Sequence, residues 1–215
     1  GLGDVYKRQE EGKPFALPEK NTEMRRAFAY LTTTRGISRT VLAEFIKRRM
    51  IYEDRKYHNA VFVGYDKSGV ARHAHKHGTF TGGKAFKGNE ESSDPKYSFH
   101  WTGKSGRLYV FEAPIDLLSF LTLYQKEWEQ HSYVALCGLS EQGLFQMLED
   151  VPYIRQVALC LDRDRAGLQA EERIQKNLEG RGYREVFPLF PSGKDWNEDL
   201  QELMAKGRRE NLQMQ

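Results

Sequence analysis

The chain has 215 residues, 39% hydrophobic and 29% charged, and its 33 Lys and Arg against 30 Asp and Glu leave a formal net charge of +3. That length can hold one compact domain of roughly 100 residues beside a smaller one, each with a core of its own, while a charge this mild permits an anionic partner without demanding one. No apolar run reaches the roughly 18 residues that span a bilayer, and the start carries no secretory signal pattern, so neither a membrane span nor a membrane partner is expected.

Gly1-Leu-Gly-Asp-Val-Tyr-Lys-Arg-Gln9 looks like a translated adapter remnant, so residues 1–9 are set aside as a non-native leader and the natural start is expected upstream. Residues 10–105 are expected to form a smaller α+β domain. Thr22 to Thr33 and Ser38 to Met50 carry apolar residues at helical spacing, separated by Arg35-Gly36, which predicts a helix hairpin. Ala60 to Gly69 and Val70 to His75 predict a strand, a glycine turn and a second strand. Lys76 to Pro95 is polar and glycine-rich and predicts a long mobile surface loop, after which Tyr97 to Trp101 returns as a strand. His73, His75 and His77 alternate on one strand face. The partners that would complete a zinc site are not nearby in sequence, so phosphate contact or plain exposure is expected of them. Tyr97, Phe99 and Trp101 could stack on bases, although packing between the two halves is the commoner use of such a strip.

Residues 106–215 alternate strand and helix. Leu108 to Phe111 is a short apolar strand ending in Glu112, with Asp116 opening a helix marked by Leu117, Phe120, Leu121 and Tyr124. Tyr133 to Cys137 is a second strand, followed by Ser140 placed to cap a helix bearing Leu144, Met147 and Leu148. Gln156 to Leu161 is a third strand, delivering Asp162 and Asp164 to its end, and the next helix stops at Gly180. Glu185 to Phe190 is a fourth strand, and a helix is expected at 197–205. Such alternation implies a parallel sheet with right-handed crossovers. Cys137 and Cys160 hold equivalent places in two of the strands, where reduced buried thiols are commoner than a bridge, so a cytoplasmic setting is expected.

Asp162 and Asp164 admit two explanations: capping of the following helix, or a divalent cation between carboxylates that otherwise repel. Doubly wound sheets commonly reverse direction between the first and third strands, which would bring Glu112 and Asp162 to one crevice at the carboxyl ends of the strands, where ligands bind. A metal site explains carboxylates gathered from distant segments better than a solvated surface does.

Val110-Phe-Glu-Ala-Pro-Ile-Asp116, then Leu159-Cys-Leu-Asp-Arg-Asp-Arg-Ala-Gly167, then Gly193-Lys-Asp-Trp-Asn-Glu-Asp199 closely resemble the Toprim domain of bacterial-type DNA primases, topoisomerases and related nucleases. The DRDRAG and GKD runs favour the primase branch. The preceding region resembles, more loosely, the primase catalytic-core subdomain and, more closely, an uncharacterised domain found before Toprim in mobile-element proteins. The resemblance implies a Toprim-like parallel sheet with flanking helices and a site in which Asp162 and Asp164 hold Mg²⁺, or Mn²⁺, with Glu112 as a further ligand or a general acid or base. Asp116 and Lys194 would support that site. Asp195 would either join it or cap the helix at 197–205. Arg72, Lys76, Lys84, Lys87 and Lys96 are the candidates to hold a polyanion over it, against the alternative of an ordinary solvated face. Zinc would belong only to a module upstream.

Two departures stand out: Ala113-Pro114 where the family has glycine after the glutamate, and Trp196-Asn197 where the primase pattern has proline and an acid. The implied activity is Mg²⁺-dependent nucleotidyl or phosphoryl transfer on nucleic acid in replication or mobilisation of a mobile element. Its partners would be a single-stranded DNA template or other nucleic acid, nucleotides, and a helicase or relaxase. The alternatives are a Toprim nuclease or nicking enzyme and a non-catalytic nucleic-acid-binding module.

Overall fold

A computed structural model describes residues 12–138 and 140–214; the leader expected at residues 1–9 lies outside them. The helix hairpin is present with shorter arms. α1 (Arg25–Ala29) widens into a π-helical turn at Tyr30–Thr34, and α2 (Arg39–Lys47) starts from Ser38, whose hydroxyl accepts the Val41 N–H. β1 (Ile51–Glu53), β2 (Ala60–Tyr65), β3 (Ala71–His77) and β4 (Lys87–Asn89) then form an antiparallel sheet in that order.

The stretch expected to be one long loop is more ordered than its composition implied. β3 continues to His77, the Gly78 N–H donates to the Phe86 carbonyl at 2.7 Å, β4 pairs with β3, and Asp94 caps a 3-10 turn at Pro95–Tyr97. β4 reads Lys-Gly-Asn, so backbone pairing alone makes it a strand and no apolar alternation announced it.

The second sheet contains β5 (His100–Trp101), β6 (Arg107–Phe111), β7 (Ser132–Ala135), β8 (Gln156–Leu159) and β9 (Glu185–Pro188), in the order β5-β7-β6-β8-β9. The last four are parallel, and β5 lies antiparallel against β7 at the edge. α3 (Pro114–Leu123), α4 (Gln142–Asp150) and α5 (Arg165–Gly180) are the crossovers, and α6 (Trp196–Gln213) ends the chain, running well past the expected residue 205. The fold is thus the expected α/β class, a mostly parallel sheet with flanking helices preceded by a smaller antiparallel sheet. β6 lies between β7 and β8, which is the reversal that brings the end of the first strand beside the end of the third.

One face of the parallel sheet is covered by Leu144, Met147, Ile174 and Leu178 from α4 and α5. The core on the other face runs through both halves of the chain, joining Leu31, Leu42 and Phe45 to Phe62, Phe99, Trp101, Phe111 and Leu117. Phe45 is its hub, stacked on Phe99 at 5.3 Å and Trp128 at 5.5 Å and tilted against Trp101 at 5.2 Å. Phe99 and Trp101 therefore pack the halves together and offer no face to bases. Among the described residues no helix is long and apolar enough to cross a membrane.

Removing the Phe45 ring leaves a cavity among three aromatic neighbours, so Phe45→Ala should destabilise the fold by about 3–5 kcal/mol. A thermal melt followed by circular dichroism should register this as a fall of roughly 10 °C.

Candidate active site

β6 and β8 are direct neighbours, with Val110 opposite Leu159, so the chain leaves both strands side by side and sets Glu112 next to Asp162. The Asp162 N–H donates to Glu112 Oε1 at 3.4 Å. Two residues on, Asp164 Oδ1 accepts the Gly167 N–H at 2.8 Å and caps α5. Capping, one of the two explanations open for this acid, is therefore real and coexists with its place at the crevice. Gly167 is required here: a Cβ would lie 2.0 Å from the Asp162 carbonyl oxygen and 3.1 Å from Glu112 Oε1.

The Ala113-Pro114 departure is accommodated. Ala113 has ordinary extended backbone (φ −131°), and Pro114 takes the first position of α3, where its missing N–H has no partner to lose.

A third acid arrives from α3. Asp116 is buried, and its Oδ1 accepts the Asn197 N–H at 3.3 Å. Asn197 is almost wholly buried and ties three segments together: its Nδ2 donates to the Arg35 carbonyl and to Ser119 Oγ, and its Oδ1 accepts from Arg35 Nη1 at 3.0 Å. Beside it, Trp196 Nε1 donates to the Cys160 carbonyl at 3.0 Å and the ring meets Phe120 edge-on. The Trp196-Asn197 departure thus pins α6 to the ends of β8 and α3. Asp195 caps α6 through the Glu198 N–H at 2.8 Å. The preceding loop is held by Arg163, whose N–H donates to the Lys194 carbonyl at 2.6 Å and whose Nη1 donates to the Ser192 carbonyl. Glu198 and Asp199 accept the backbone N–H groups of Ser192, Gly193 and Lys194 from below.

The acids raise one another's proton affinity. Burial, then the charges of Asp116, Glu112, Asp195 and Asp164, push the Asp162 carboxyl up to about 8. Burial and then Asp195 push Asp116 up to about 7, against the pull of the Asn197 N–H. Burial raises Glu112 as well; Asp164 adds to this, while the Asp162 N–H and the Lys194 charge oppose it. Asp162 Oδ1 is buried and has no hydrogen-bond partner. Among the described residues no three acid, histidine or cysteine side chains converge into a ready ligand cage. What remains is an all-oxygen crevice short of positive charge, with one orphaned carboxylate oxygen. That donor set fits a hard divalent cation of the Mg²⁺ type, which keeps several of its waters.

Of the five basic residues picked from sequence, only Lys87 lines the cleft shared with Asp116 and Asp195. Arg72 pairs with Asp66 at 2.7 Å and Lys76 with Glu90 at 2.8 Å. Lys96 lies beside α4, and Lys84 lines a separate groove of the amino-terminal half. Arg35, which sequence reading took only as part of a turn, stands in the cleft with Lys87.

The expectation of exposed histidines is overturned. β3 lies between β2 and β4, and His73, His75 and His77 are all buried. Burial pushes His73 and His77 down to about 4, which keeps both neutral. His75 and His77 do line the cleft wall, bonded through Nδ1 to Asn89 Oδ1 and the Gly78 carbonyl. Cys137 and Cys160 are buried free thiols, and burial pushes Cys137 up to about 12.

Two outcomes follow from this geometry. Gly167→Ala forces the α5 start away from Asp162 and should cost about 2–3 kcal/mol in a denaturant titration. Asp162 and Asp116 are raised in the folded state, so the fold holds protons that the unfolded chain has already lost. In EDTA the melting midpoint should fall as pH rises from about 5 through 8. Added Mg²⁺ should reverse the fall, and Asp162→Asn should flatten it.

Comparison with known proteins agrees with this architecture. A family model described as Toprim-like matches residues 109–200, and one described as a protein of unknown function, DUF3991, matches residues 29–105. An uncharacterized protein of Bacillus anthracis is 29% identical, over 86% of this chain and 61% of its own length. An uncharacterized protein of Mycoplasma pneumoniae is 29% identical over 47% and 46%. The chain thus spans between about half and three fifths of the curated relatives it matches. Among solved structures, the primase fragment of the bacteriophage T7 primase-helicase protein superposes with a TM-score of 0.57 at 21% identity, over 80% of this chain and 72% of that one. The E. coli primase catalytic core gives 0.57 at 17%, over 83% and 69%. The DnaG primase catalytic domain bound to single-stranded DNA gives 0.56 at 17%, over 88% and 71%. At these identities the likeness is one of fold, and it covers both sheets.

Proposed function

We propose, for a chain that carries a Toprim-like domain at residues 109–200 behind a DUF3991 domain at residues 29–105 on a primase-core fold, that it catalyses Mg²⁺-dependent nucleotidyl or phosphoryl transfer on nucleic acid. The observation that carries this reading is the orphaned, buried Asp162 Oδ1 in a crevice whose acids hold each other's protons. Asp162, Asp164 and Glu112 would hold the cation, with Mn²⁺ able to replace Mg²⁺. When bound, such an ion neutralises phosphate charge and stabilises the leaving oxygen. Asp116, held by the Asn197 N–H, keeps the crevice acidic from the α3 side. Alternatively to holding the cation, Glu112, whose proton affinity burial raises, would take the proton of an attacking hydroxyl. Lys87 and Arg35 on the facing wall, and Lys194 on the loop clamped by Arg163, supply cations for phosphate oxygens.

The substrates in this reading are nucleotides on a single-stranded template, in the replication or mobilisation of a mobile element, with a helicase or relaxase as partner and the cytoplasm as its place. The neighbours include a primase-helicase and a primase domain bound to single-stranded DNA, which supports that choice.

Incubation with Mg²⁺, a single-stranded template and labelled nucleotides should yield short labelled products. Asp162→Asn should lower their yield roughly a hundredfold or more. A shortened template without labelled product would replace the primase reading with a nuclease, and product undiminished in Asp162→Asn would remove the assigned site.

A further inference from the structure

A second feature of the amino-terminal half takes no part in the acidic crevice. The turn after β1 and the segment between β3 and β4 face each other across a groove beside α1 and the π-turn. Three aromatic side chains that line it are exposed: Tyr57 at 65%, Phe80 at 71% and Phe86 at 54%. Exposed large rings gathered in one place are unusual on a soluble surface and mark contact sites. Arg26 and Lys84 line the same groove, and no acidic residue does so among the described residues. Lys56 Nζ lies 4.9 Å from the centre of the Tyr57 ring, and Lys76 Nζ lies 5.8 Å from that of Phe86.

The rings are held in place. The Tyr57 N–H donates to Asp54 Oδ1 at 2.6 Å, the Thr79 hydroxyl donates to the His58 carbonyl at 3.0 Å, and the Gly78 N–H closes the base of the loop on the Phe86 carbonyl. The glycines of this segment make room for the rings: a Cβ at Gly82 would lie 2.5 Å from the Phe80 ring, and one at Gly88 would lie 3.2 Å from the Phe86 ring. The glycine-rich composition that suggested a featureless loop is therefore what lets two phenyl rings lie across the backbone. The inner end of the groove is Tyr30, whose ring packs at 5.5 Å on His77, and His77 lines the acidic cleft.

We infer that this groove seats single-stranded nucleic acid, with bases stacked on Tyr57, Phe80 and Phe86 and phosphates held by Arg26 and Lys84. Flat apolar faces beside cations that pair with no acid among the described residues fit a strand whose bases are unstacked. They do not fit a duplex, whose bases present no face. The inference rests on the reading that the chain handles nucleic acid, but binding in the groove needs neither the metal nor the acids.

Fluorescence anisotropy with a labelled 20-nucleotide oligo-dT, in EDTA, tests it. Wild type should bind, and a duplex of the same length should compete poorly. Phe80→Ala and Phe86→Ala should each weaken binding about tenfold with an unchanged melting midpoint, and Phe80→Tyr and Phe86→Tyr should retain it. Wild-type protein that binds oligo-dT in EDTA yet yields no labelled product with Mg²⁺ would sink the catalytic reading alone. Alanine variants that bind like wild type, a wild type that ignores oligo-dT, or a duplex that competes equally well would overturn the groove assignment.

Discussion

Repulsion among carboxylates at the carboxyl ends of β6 and β8 governs how this molecule is put together. Glu112, Asp116, Asp162, Asp164 and Asp195 are gathered from three stretches of the chain, and burial together with the neighbouring carboxylates raises the proton affinity of Glu112, Asp116 and Asp162. The fold tolerates them by giving nearly every one a backbone N–H: Gly167 to Asp164, Glu198 to Asp195, Asn197 to Asp116, and Asp162 itself to Glu112. Two of these acids cap α5 and α6, so the positive ends of two helix dipoles face the crevice. Asp162 Oδ1 is buried and is given no donor.

Facing walls of the cleft are held in register by contacts remote from it. The Phe45 stack fixes α2 and the small sheet against the parallel sheet, and Asn197 ties Arg35 to α3 and α6 at the cleft itself. Asn89 adds a third tie, its Oδ1 accepting from His75 Nδ1 and its Nδ2 donating to the Cys137 carbonyl just past β7. Arg35 and Lys87 therefore line the same cleft as Asp116 and Asp195 because of packing several residues away.

The parallel sheet was legible because strands covered on both faces read as apolar runs, and a run that stops at Glu112 or Asp162 marks the ligand-binding end. Glycine at Gly167 was visible in DRDRAG, although its reason, contact with the Asp162 carbonyl, is tertiary. β1 and β4 left no signal, being three residues each. The histidines misled because alternation says which residues share a face and not whether that face is covered; here the Tyr30 ring from the π-turn packs on His77 and Phe62 lies beside His75. The basic residues were chosen on charge alone. Arg72 and Lys76 were already neutralised by Asp66 and Glu90, whereas Arg35 reaches the cleft only because Asn197 draws its turn inward.

β5 lies inside the segment matched by DUF3991, yet its two residues pair with β7, His100 opposite Val134 and Trp101 opposite Tyr133. It covers the β7 edge of the parallel sheet. The amino-terminal unit thus acts as an edge guard for its neighbour, occupying backbone groups that would otherwise be open to pairing with another chain. Without the amino-terminal unit, a parallel sheet of this strand order would carry an open edge along β7 and a bare aromatic face.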